Sequence, residues 1–199
     1  MAYGLSSEAV DKLLKDYSFR SILDIGCGAK LEHSLKFAEF GKDVTSVDLL
    51  PLSNSVDKPD NINFVNQNIF DFIELGEKFE CVWSSHCLEH LESPIPFLRL
   101  LKKVTNPDSI ICITVPPLKH NIVSEHISLW NGGLLIYCLV LAGYDCSDIV
   151  LKKYGYNISV ILKRKDIEVK TSNINELSKF FPEKYNYFNF NGDIDSINW

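Results

Sequence analysis

Imidazole and carboxylate side chains are concentrated in residues 84–91 of the sequence (SSHCLEHL). Three of them, His86, Glu89 and His90, can bind a divalent metal ion, and in a helical turn their spacing would place them on one face. A further histidine, His126, comes later in the chain. A ligand set this rich in nitrogen favours Mn²⁺, Fe²⁺ or Zn²⁺ over Mg²⁺.

Two kinds of chemistry fit these residues. A divalent ion would lower the pKa of a bound hydroxyl and orient it as a nucleophile. Alternatively, His90 or His126 acts as a general base without a metal. In a third interpretation Glu89 caps the helix that follows, and the histidines are satisfied by hydrogen bonds. The residue types and their spacing leave all three open.

A glycine-rich loop, residues 24–30 (DIGCGAK), follows the first predicted strand. Gly26 and Gly28 let the backbone pass close to a bound molecule, where a Cβ would clash. Asp48 ends the second predicted strand, and a carboxylate there can accept hydrogen bonds from a ribose diol. The dinucleotide fingerprint GxGxxG would need a glycine at position 31, where the chain has Leu31.

The elements that must position these residues alternate between short β-branched runs and helical segments. The predicted strands are 20–25, 43–49, 62–65, 79–84 and 109–115, with a hairpin of 148–154 and 158–165, and the predicted helices are 7–16, 31–40, 71–75, 96–104 and 134–142. This order predicts an α/β, Rossmann-like, doubly wound fold whose mostly parallel seven-stranded sheet ends in an antiparallel C-terminal hairpin. Ligands of such sheets bind beyond the carboxyl ends of the strands.

The loop Asp24-x-Gly26-x-Gly28, with Asp48 at the end of strand two, resembles the cofactor loop of class I S-adenosylmethionine (SAM)-dependent methyltransferases over roughly residues 20–165. The resemblance implies that the loop residues hold the methionine part of SAM and that Asp48 holds its ribose. The other cofactor-binding residues that it implies are Cys27, Leu49, Asn68, Ile69, Phe70 and Ser84, of which Asn68, Ile69 and Phe70 meet the adenine. The chain departs from the family pattern at Lys30, which replaces a third glycine.

Residues 86–90 (HCLEH) are similar to the Glu-x-x-Glu-His motif of two metal-using branches of this family. These are the ubiquinone-pathway O-methyltransferases and the plant small-RNA 2′-O-methyltransferases, and the second branch adds a histidine after strand five. The resemblance implies that His86, Glu89, His90 and His126 bind a divalent metal (Mn, Fe, Zn or Mg), and that Glu89, His90 and His126 are catalytic. Because an aliphatic hydroxyl is a poor nucleophile at neutral pH, such a cluster predicts O-methylation.

The amino-acid composition limits which binding partners and which cellular compartment are expected for the protein. The 199 residues carry a net charge of −6, which disfavours nucleic acid and anionic membranes as partners. The longest apolar stretch is too short to span a membrane. Six cysteines without a CxxC pair indicate reduced thiols. We therefore expect a cytoplasmic enzyme that acts on a small molecule.

The C-terminal segment, residues 166–199, is expected to pack as an aromatic-rich tail on a methyltransferase domain of residues 1–165. Its aromatic residues include Phe180, Phe181, Tyr185, Tyr187, Phe188, Phe190 and Trp199. Aromatic faces beside Asn and Asp suit a sugar ring or a homodimer contact. A looser resemblance to small bacterial methyltransferases of surface polysaccharides implies a sugar or nucleotide-linked sugar as acceptor. A quinol, phenol or other metabolite is the alternative acceptor, and Lys30 leaves open a non-catalytic, methyltransferase-like partner subunit.

Overall fold

One mixed β-sheet organises the computed structural model of the protein, which describes residues 5–185 and 192–199. The strands are β1 (Ser21–Ile25), β2 (Asp43–Asp48), β3 (Ile62–Asn66), β4 (Phe79–Ser85), β5 (Thr105–Val115), β6 (Val150–Tyr154), β7 (Asn157–Lys163) and β8 (Ser196–Ile197). The helices are α1 (Ser7–Asp16), α2 (Glu32–Glu39), α3 (Ile69–Ile73), α4 (Pro94–Leu100), α5 (Gly132–Leu141) and α6 (Ile174–Leu177). Single 3₁₀ turns include Leu88–His90.

The strand order is β3-β2-β1-β4-β5-β7-β6-β8. The first five strands in this order are parallel, whereas β7 runs antiparallel to β5 and to β6. The predicted α/β doubly wound fold is therefore confirmed. Within the described residues the sheet has eight strands where seven were predicted, because the two-residue β8 pairs with β6. So short a strand carries no readable periodicity.

The sheet is covered on both faces, which explains the uninterrupted apolar runs in its central strands, such as residues 81–83 of β4 and 110–113 of β5. Because side chains alternate along a strand, the neighbouring residues Val82 and Trp83 of β4 enter different cores. Val82 packs in the core that α4 and α5 cover, and Trp83 packs in the core that α1 and α2 cover. Both side chains are fully buried. This burial holds the carboxyl ends of β1 and β4 side by side.

The C-terminal segment returns to the sheet after residue 191. Gly192 crosses the start of α5 so closely that a Cβ on Gly133 would lie 2.3 Å from the Cα of Gly192. Phe181 is buried in the core, and the ring of Trp199 lies 6.0 Å from that of Tyr154. Three of the aromatic residues of the predicted tail, Tyr187, Phe188 and Phe190, lie outside the described residues.

Within residues 5–185 and 192–199, no helix is both long enough and apolar enough to cross a lipid bilayer.

Candidate active site

A cleft of about 330 Å³ opens over the carboxyl ends of β1, β2 and β4. It lies where the strand order turns from β1 towards β4, the usual ligand position in open parallel sheets. Of the predicted cofactor residues, Gly26, Asp48, Leu49, Asn68, Ile69 and Phe70 line it. His86 and His90 line the same cleft, as does Gln67, which the sequence did not single out. The predicted cofactor loop and two members of the histidine cluster, His86 and His90, thus share one cavity, whereas His126 lines a separate and smaller pocket.

The glycine loop adopts the backbone that its sequence predicts. Gly26 and Gly28 have φ angles of 73° and 68°, in the left-handed region that favours glycine. A Cβ on Gly26 would also lie 3.0 Å from the Cβ of Cys87. Asp48 anchors the loop, because its Oδ2 accepts a hydrogen bond of 2.7 Å from the backbone N–H of Gly28. Its Oδ1 accepts one of 2.7 Å from the N–H of Leu50.

Asp24 lies beneath the loop and is only 1% exposed. Its carboxylate accepts a hydrogen bond of 2.5 Å from the hydroxyl of Ser34, which in turn accepts one from Ser46. Burial raises the pKa of Asp24 to about 6, although His33 and the bond from Ser34 act in the opposite direction. The contacts of this side chain thus join β1 to α2, and its predicted contact with methionine stays a prediction.

The two remaining predicted cofactor residues, Ser84 and Cys27, do not line the cleft. Ser84, in β4, is 1% exposed and pairs with Ile25 of β1 in the sheet. Cys27 lines a separate cavity on the other side of the loop. Burial raises the pKa of the Cys27 thiol far above its ordinary value, so this residue is an inert thiol rather than a nucleophile.

Apolar side chains form the far end of the cleft. Leu49 is 70% exposed although it is a large apolar residue, and it shares the cleft with Ile69 and Phe70. Asn68 caps α3, because its Oδ1 accepts a hydrogen bond of 3.0 Å from the backbone N–H of Phe70. The cap places Ile69 and Phe70 at the cleft wall, where they can pack against a flat purine ring.

The histidine cluster does not form the single helical face that its spacing predicts. His86 has a φ of 52°, and the 3₁₀ turn begins only at Leu88. The ligand atoms of Glu89, His90 and His126 lie within 4.8 Å of one another, whereas His86 is outside this group. Three of the four predicted ligands are therefore brought together. The fourth, His86, contacts Glu89 but lies outside the group, because its own left-handed backbone precedes the turn.

His126 reaches the cluster through backbone contacts that no local sequence pattern reveals. The N–H groups of Ile127 and Ser128 both donate to the carbonyl oxygen of Glu89, at 3.0 and 3.3 Å. The hydroxyl of Ser128 accepts a hydrogen bond of 2.9 Å from the indole of Trp130. These bonds fasten the loop after β5 onto the 3₁₀ turn, so that the rings of His126 and His90 pack edge to face at 4.9 Å.

Glu89 is fully buried, and neither of its carboxylate oxygens accepts a well-formed hydrogen bond from the described residues. Its Oε1 lies 3.3 Å from Nδ1 of His86, a contact too poorly aligned to count as a hydrogen bond, and 3.9 Å from Nε2 of His126. Burial lowers the pKa of His126, which Glu89 partly opposes. A buried carboxylate that accepts no well-formed hydrogen bond is costly, so its presence indicates a function.

Asn157, at the start of β7, is a further residue that sequence reasoning missed. Its Oδ1 lies 3.0 Å from Nε2 of His86 and also accepts a hydrogen bond of 3.1 Å from the N–H of Ser6. Burial lowers the pKa of His86, but the contacts with Glu89 and Asn157 outweigh burial and raise it overall. No sequence signal connects Asn157 with His86, which is 71 residues away.

Comparison with known proteins shows the family to which the chain belongs. A profile described as a methyltransferase domain matches residues 3–158. The chain belongs to the methyltransferase domain family. The prediction of an enzyme of the class I SAM-dependent methyltransferases is confirmed.

Relatives of this methyltransferase include two proteins named ubiquinone biosynthesis O-methyltransferase. The protein from Cereibacter sphaeroides is 29% identical over 144 residues, which are 69% of this chain and 57% of the relative. The protein from Actinobacillus pleuropneumoniae is 23% identical over 159 residues, 74% of this chain and 62% of the relative. The chain therefore spans less than two thirds of the length of these relatives.

Solved structures show the same fold. The 1,6-didemethyltoxoflavin-N1-methyltransferase of Burkholderia thailandensis, solved with S-adenosylhomocysteine, has a TM-score of 0.66 and 20% identity, and the match covers 83% of this methyltransferase and 80% of that chain. A SAM-dependent methyltransferase from Archaeoglobus fulgidus has a TM-score of 0.62 and 17% identity, covering 79% and 93%.

Proposed function

We propose that this methyltransferase transfers the methyl group of SAM to a hydroxyl oxygen of a small molecule. The observation that carries the proposal is the group formed by Glu89, His90 and His126, whose ligand atoms lie within 4.8 Å of one another beside the cofactor cleft. A hydroxyl must lose its proton as its oxygen bonds to the methyl carbon, and an acceptor for that proton is what this group supplies.

The chain's own residues can carry the proton. The oxygen attacks the methyl carbon, the bond from carbon to the sulfonium breaks, and its electron pair stays on sulfur, which yields S-adenosylhomocysteine. His126 is suited to take the hydroxyl proton, because burial lowers its pKa and leaves the ring neutral at pH 7. Glu89, whose Oε1 is 3.9 Å from Nε2 of His126, then stabilises the imidazolium.

The same three residues fit a divalent metal ion. The donor atoms themselves support this fit. The buried Glu89 carboxylate accepts no well-formed hydrogen bond from the described residues, and two imidazoles lie beside it. Two histidines and one carboxylate suit Mn²⁺, Fe²⁺ or Zn²⁺ better than Mg²⁺. When bound, such an ion would lower the pKa of the acceptor hydroxyl. We propose Glu89, His90 and His126 as its ligands and His86 as a neighbour that contacts Glu89.

Two acceptor classes remain, a sugar hydroxyl and a phenolic or quinol hydroxyl. The rim of the site favours the second, because the loop after β5 exposes large apolar side chains. These are Leu118, Ile122, Ile127 and Leu129, with exposures between 50% and 91%. The described aromatic residues of the tail lend the sugar little support, since Phe181 is buried in the core and Trp199 packs beside Tyr154. The names of the two curated relatives agree with a phenolic acceptor.

The test is an assay with methyl-labelled SAM and a panel of catechols, hydroquinones, sugars and nucleotide sugars. We expect an O-methylated product, with faster turnover of the phenols. His126→Ala should lower kcat by about 10²–10⁴-fold, while the exposed His120→Ala serves as the matched control. Products methylated only on nitrogen or sulfur would contradict O-methylation. Full turnover in excess EDTA would remove the metal and leave His126 as the base.

A further inference from the structure

The loop after β5, residues 116–131, carries His126 and is closed at its base, where the N–H of Leu118 donates to the carbonyl oxygen of Trp130 at 2.8 Å. Among the described residues, the hydrogen bonds from this loop to the 3₁₀ turn converge on one atom, the carbonyl oxygen of Glu89. The hydrogen bonding that places His126 therefore has a single point of attachment to the turn.

Ser128 supplies two of the three donors at this atom. Its N–H donates at 3.3 Å and its hydroxyl at 3.4 Å, beside the N–H of Ile127 at 3.0 Å. The indole of Trp130 is a donor only, so the hydroxyl oxygen of Ser128 accepts from it, at 2.9 Å, and the hydroxyl proton is directed to Glu89. Trp130 is 2% exposed and packs in the core. Ser128 therefore links the core to the 3₁₀ turn.

The loop leaves little room for an acceptor while it lies in this closed position. The pocket that His126 lines has a volume of about 10 Å³, and a single water molecule needs about 10–15 Å³ of such space. The side chain of His126 is 10% exposed. An acceptor much larger than a water molecule therefore reaches the imidazole only when the loop moves.

Two features oppose the closed position. Ser124 and Glu125, which immediately precede His126, have φ angles of 40° and 62°. A left-handed backbone costs free energy in residues other than glycine, and an open loop can release that strain. Closure also keeps water from Glu89, whose carboxylate accepts no well-formed hydrogen bond from the described residues. These costs, set against attachment at one atom, fit a loop that opens and closes.

We infer that Ser128 is a positioning residue that acts as a latch. Its hydroxyl fastens the loop after β5 to the 3₁₀ turn and so holds His126 beside Glu89, and the latch opens to admit the acceptor. This inference rests on the proposed function, in which His126 takes the proton of the acceptor hydroxyl. It adds that the loop returns the base to its place in each turnover.

The kinetic test is Ser128→Ala, which removes the hydroxyl and leaves the indole N–H of Trp130 without its acceptor. We expect kcat to fall about 3- to 10-fold, the effect of one hydrogen bond, while the Kd for S-adenosylhomocysteine is unchanged. In a His126→Ala background the same substitution should not change kcat, because no base remains to be positioned. Ser128→Thr keeps a hydroxyl and should restore most of the activity. Ser172→Ala, at an exposed serine elsewhere, is the matched control.

Hydrogen exchange tests the latch without the reaction. In the unaltered protein the amides of Ile127 and Ser128 should exchange faster than those of residues 110–113 in β5, because local opening exposes them without unfolding the sheet. Ser128→Ala should accelerate the exchange of the Ile127 amide about 3- to 10-fold and leave β5 unchanged.

Two results would overturn the inference. The first is exchange of the Ile127 and Ser128 amides as slow as that of β5, which would show that the loop does not open. The second is an equal loss of kcat from Ser128→Ala with and without His126, which would show that the hydroxyl does not act through this base. Faster exchange confined to the loop, in a protein that methylates only nitrogen, would support the latch and contradict the proposed O-methylation.

Discussion

Replacing Glu89 by glutamine should make the metal-free protein more stable at high pH, while methyl transfer is lost. Glu89 is fully buried, and neither carboxylate oxygen accepts a well-formed hydrogen bond from the described residues. Active sites commonly retain such groups at the expense of folding stability. The substitution removes the charge and preserves the shape of the side chain, so it isolates the free energy of burying that charge.

Two opposing contributions decide whether Glu89→Gln raises or lowers the stability of the folded protein. A buried polar group without a partner costs about 1–3 kcal/mol, and a buried unpaired charge costs more. Against this cost, a protonated His86 whose Nδ1 lies 3.3 Å from Oε1 of Glu89 attracts it by about 5 kcal/mol at an effective dielectric constant of about 20. Attraction therefore offsets the cost of burial while His86 is protonated, and the cost remains once His86 is neutral.

The pH window follows from the direction of the shift at His86. Burial lowers its pKa, and the contacts with Glu89 and Asn157 raise it by more, so the folded-state pKa lies above its ordinary value near 6.5. Stability from the pair is fully present below about pH 6.5 and is lost as pH rises through the folded-state pKa.

The assay is thermal unfolding of both proteins in EDTA at about pH 6 and about pH 9. At the higher pH Glu89→Gln should be about 1–3 kcal/mol more stable, with Tm raised by about 2–4 °C for each kcal/mol. At the lower pH it should be no more stable than the unaltered protein. Glu125→Gln, an exposed glutamate near the cluster, is the matched control and should change stability by less than about 0.5 kcal/mol at either pH.

A lower stability of Glu89→Gln at about pH 9 would refute this reasoning, because it would show that the folded protein satisfies the carboxylate. Adding Mn²⁺ supplies an independent check on the proposed ligands. An ion at about 1,000 times its Kd stabilises the protein that binds it by about 4.1 kcal/mol, so the order of stabilities at the higher pH should reverse.

Two further substitutions test the cofactor loop. Gly26→Ala should destabilise the protein by about 2–4 kcal/mol in urea unfolding and abolish S-adenosylhomocysteine binding, since φ is 73° there and the new Cβ would lie 3.0 Å from the Cβ of Cys87. Gly28→Ala, where φ is 68° but no atom lies within 4 Å, should cost only about 1–2 kcal/mol. Burial raises the pKa of Asp24 to about 6 in the folded protein, whereas the ordinary pKa of an aspartate is near 3.9. The stability of the unaltered protein therefore falls as pH rises from about 3.9 to about 6. Asp24→Asn should consequently be about 3 kcal/mol more stable than the unaltered protein at pH 8. Equal urea midpoints at pH 8 would contradict that result.

Much of the fold could be predicted because its signals are local. The helix predicted over residues 7–16 is observed as Ser7–Asp16, and the glycine loop lies between β1 and α2 as expected. The errors fall where tertiary pairing overrides local preference. Strand β5 begins at Thr105 although Asn106-Pro107 predicts a break, because Thr105 pairs with Phe79 across an irregular register. Such pairing depends on a partner that is distant in sequence.

The cofactor half of the candidate site was predictable for the same reason. The positive φ angles of Gly26 and Gly28, and the position of Asp48 after its strand, depend on short-range preferences that residue types reveal. The contacts of His86 were not predictable. Its left-handed backbone removes it from the helical face that its spacing predicts, and Asn157 reaches it only because β7 inserts beside β5.

The sequence by itself determined the class of the fold, the cofactor loop and the residue types available for the methyl-transfer step. Only the tertiary structure decided that Glu89, His90 and His126 would share one small volume and that Glu89 would lose its hydration. The physical reason is that burial belongs to no single segment. The dehydration of Glu89 requires β4, the 3₁₀ turn and the loop after β5 to close around it together, and their packing is set by the whole sheet.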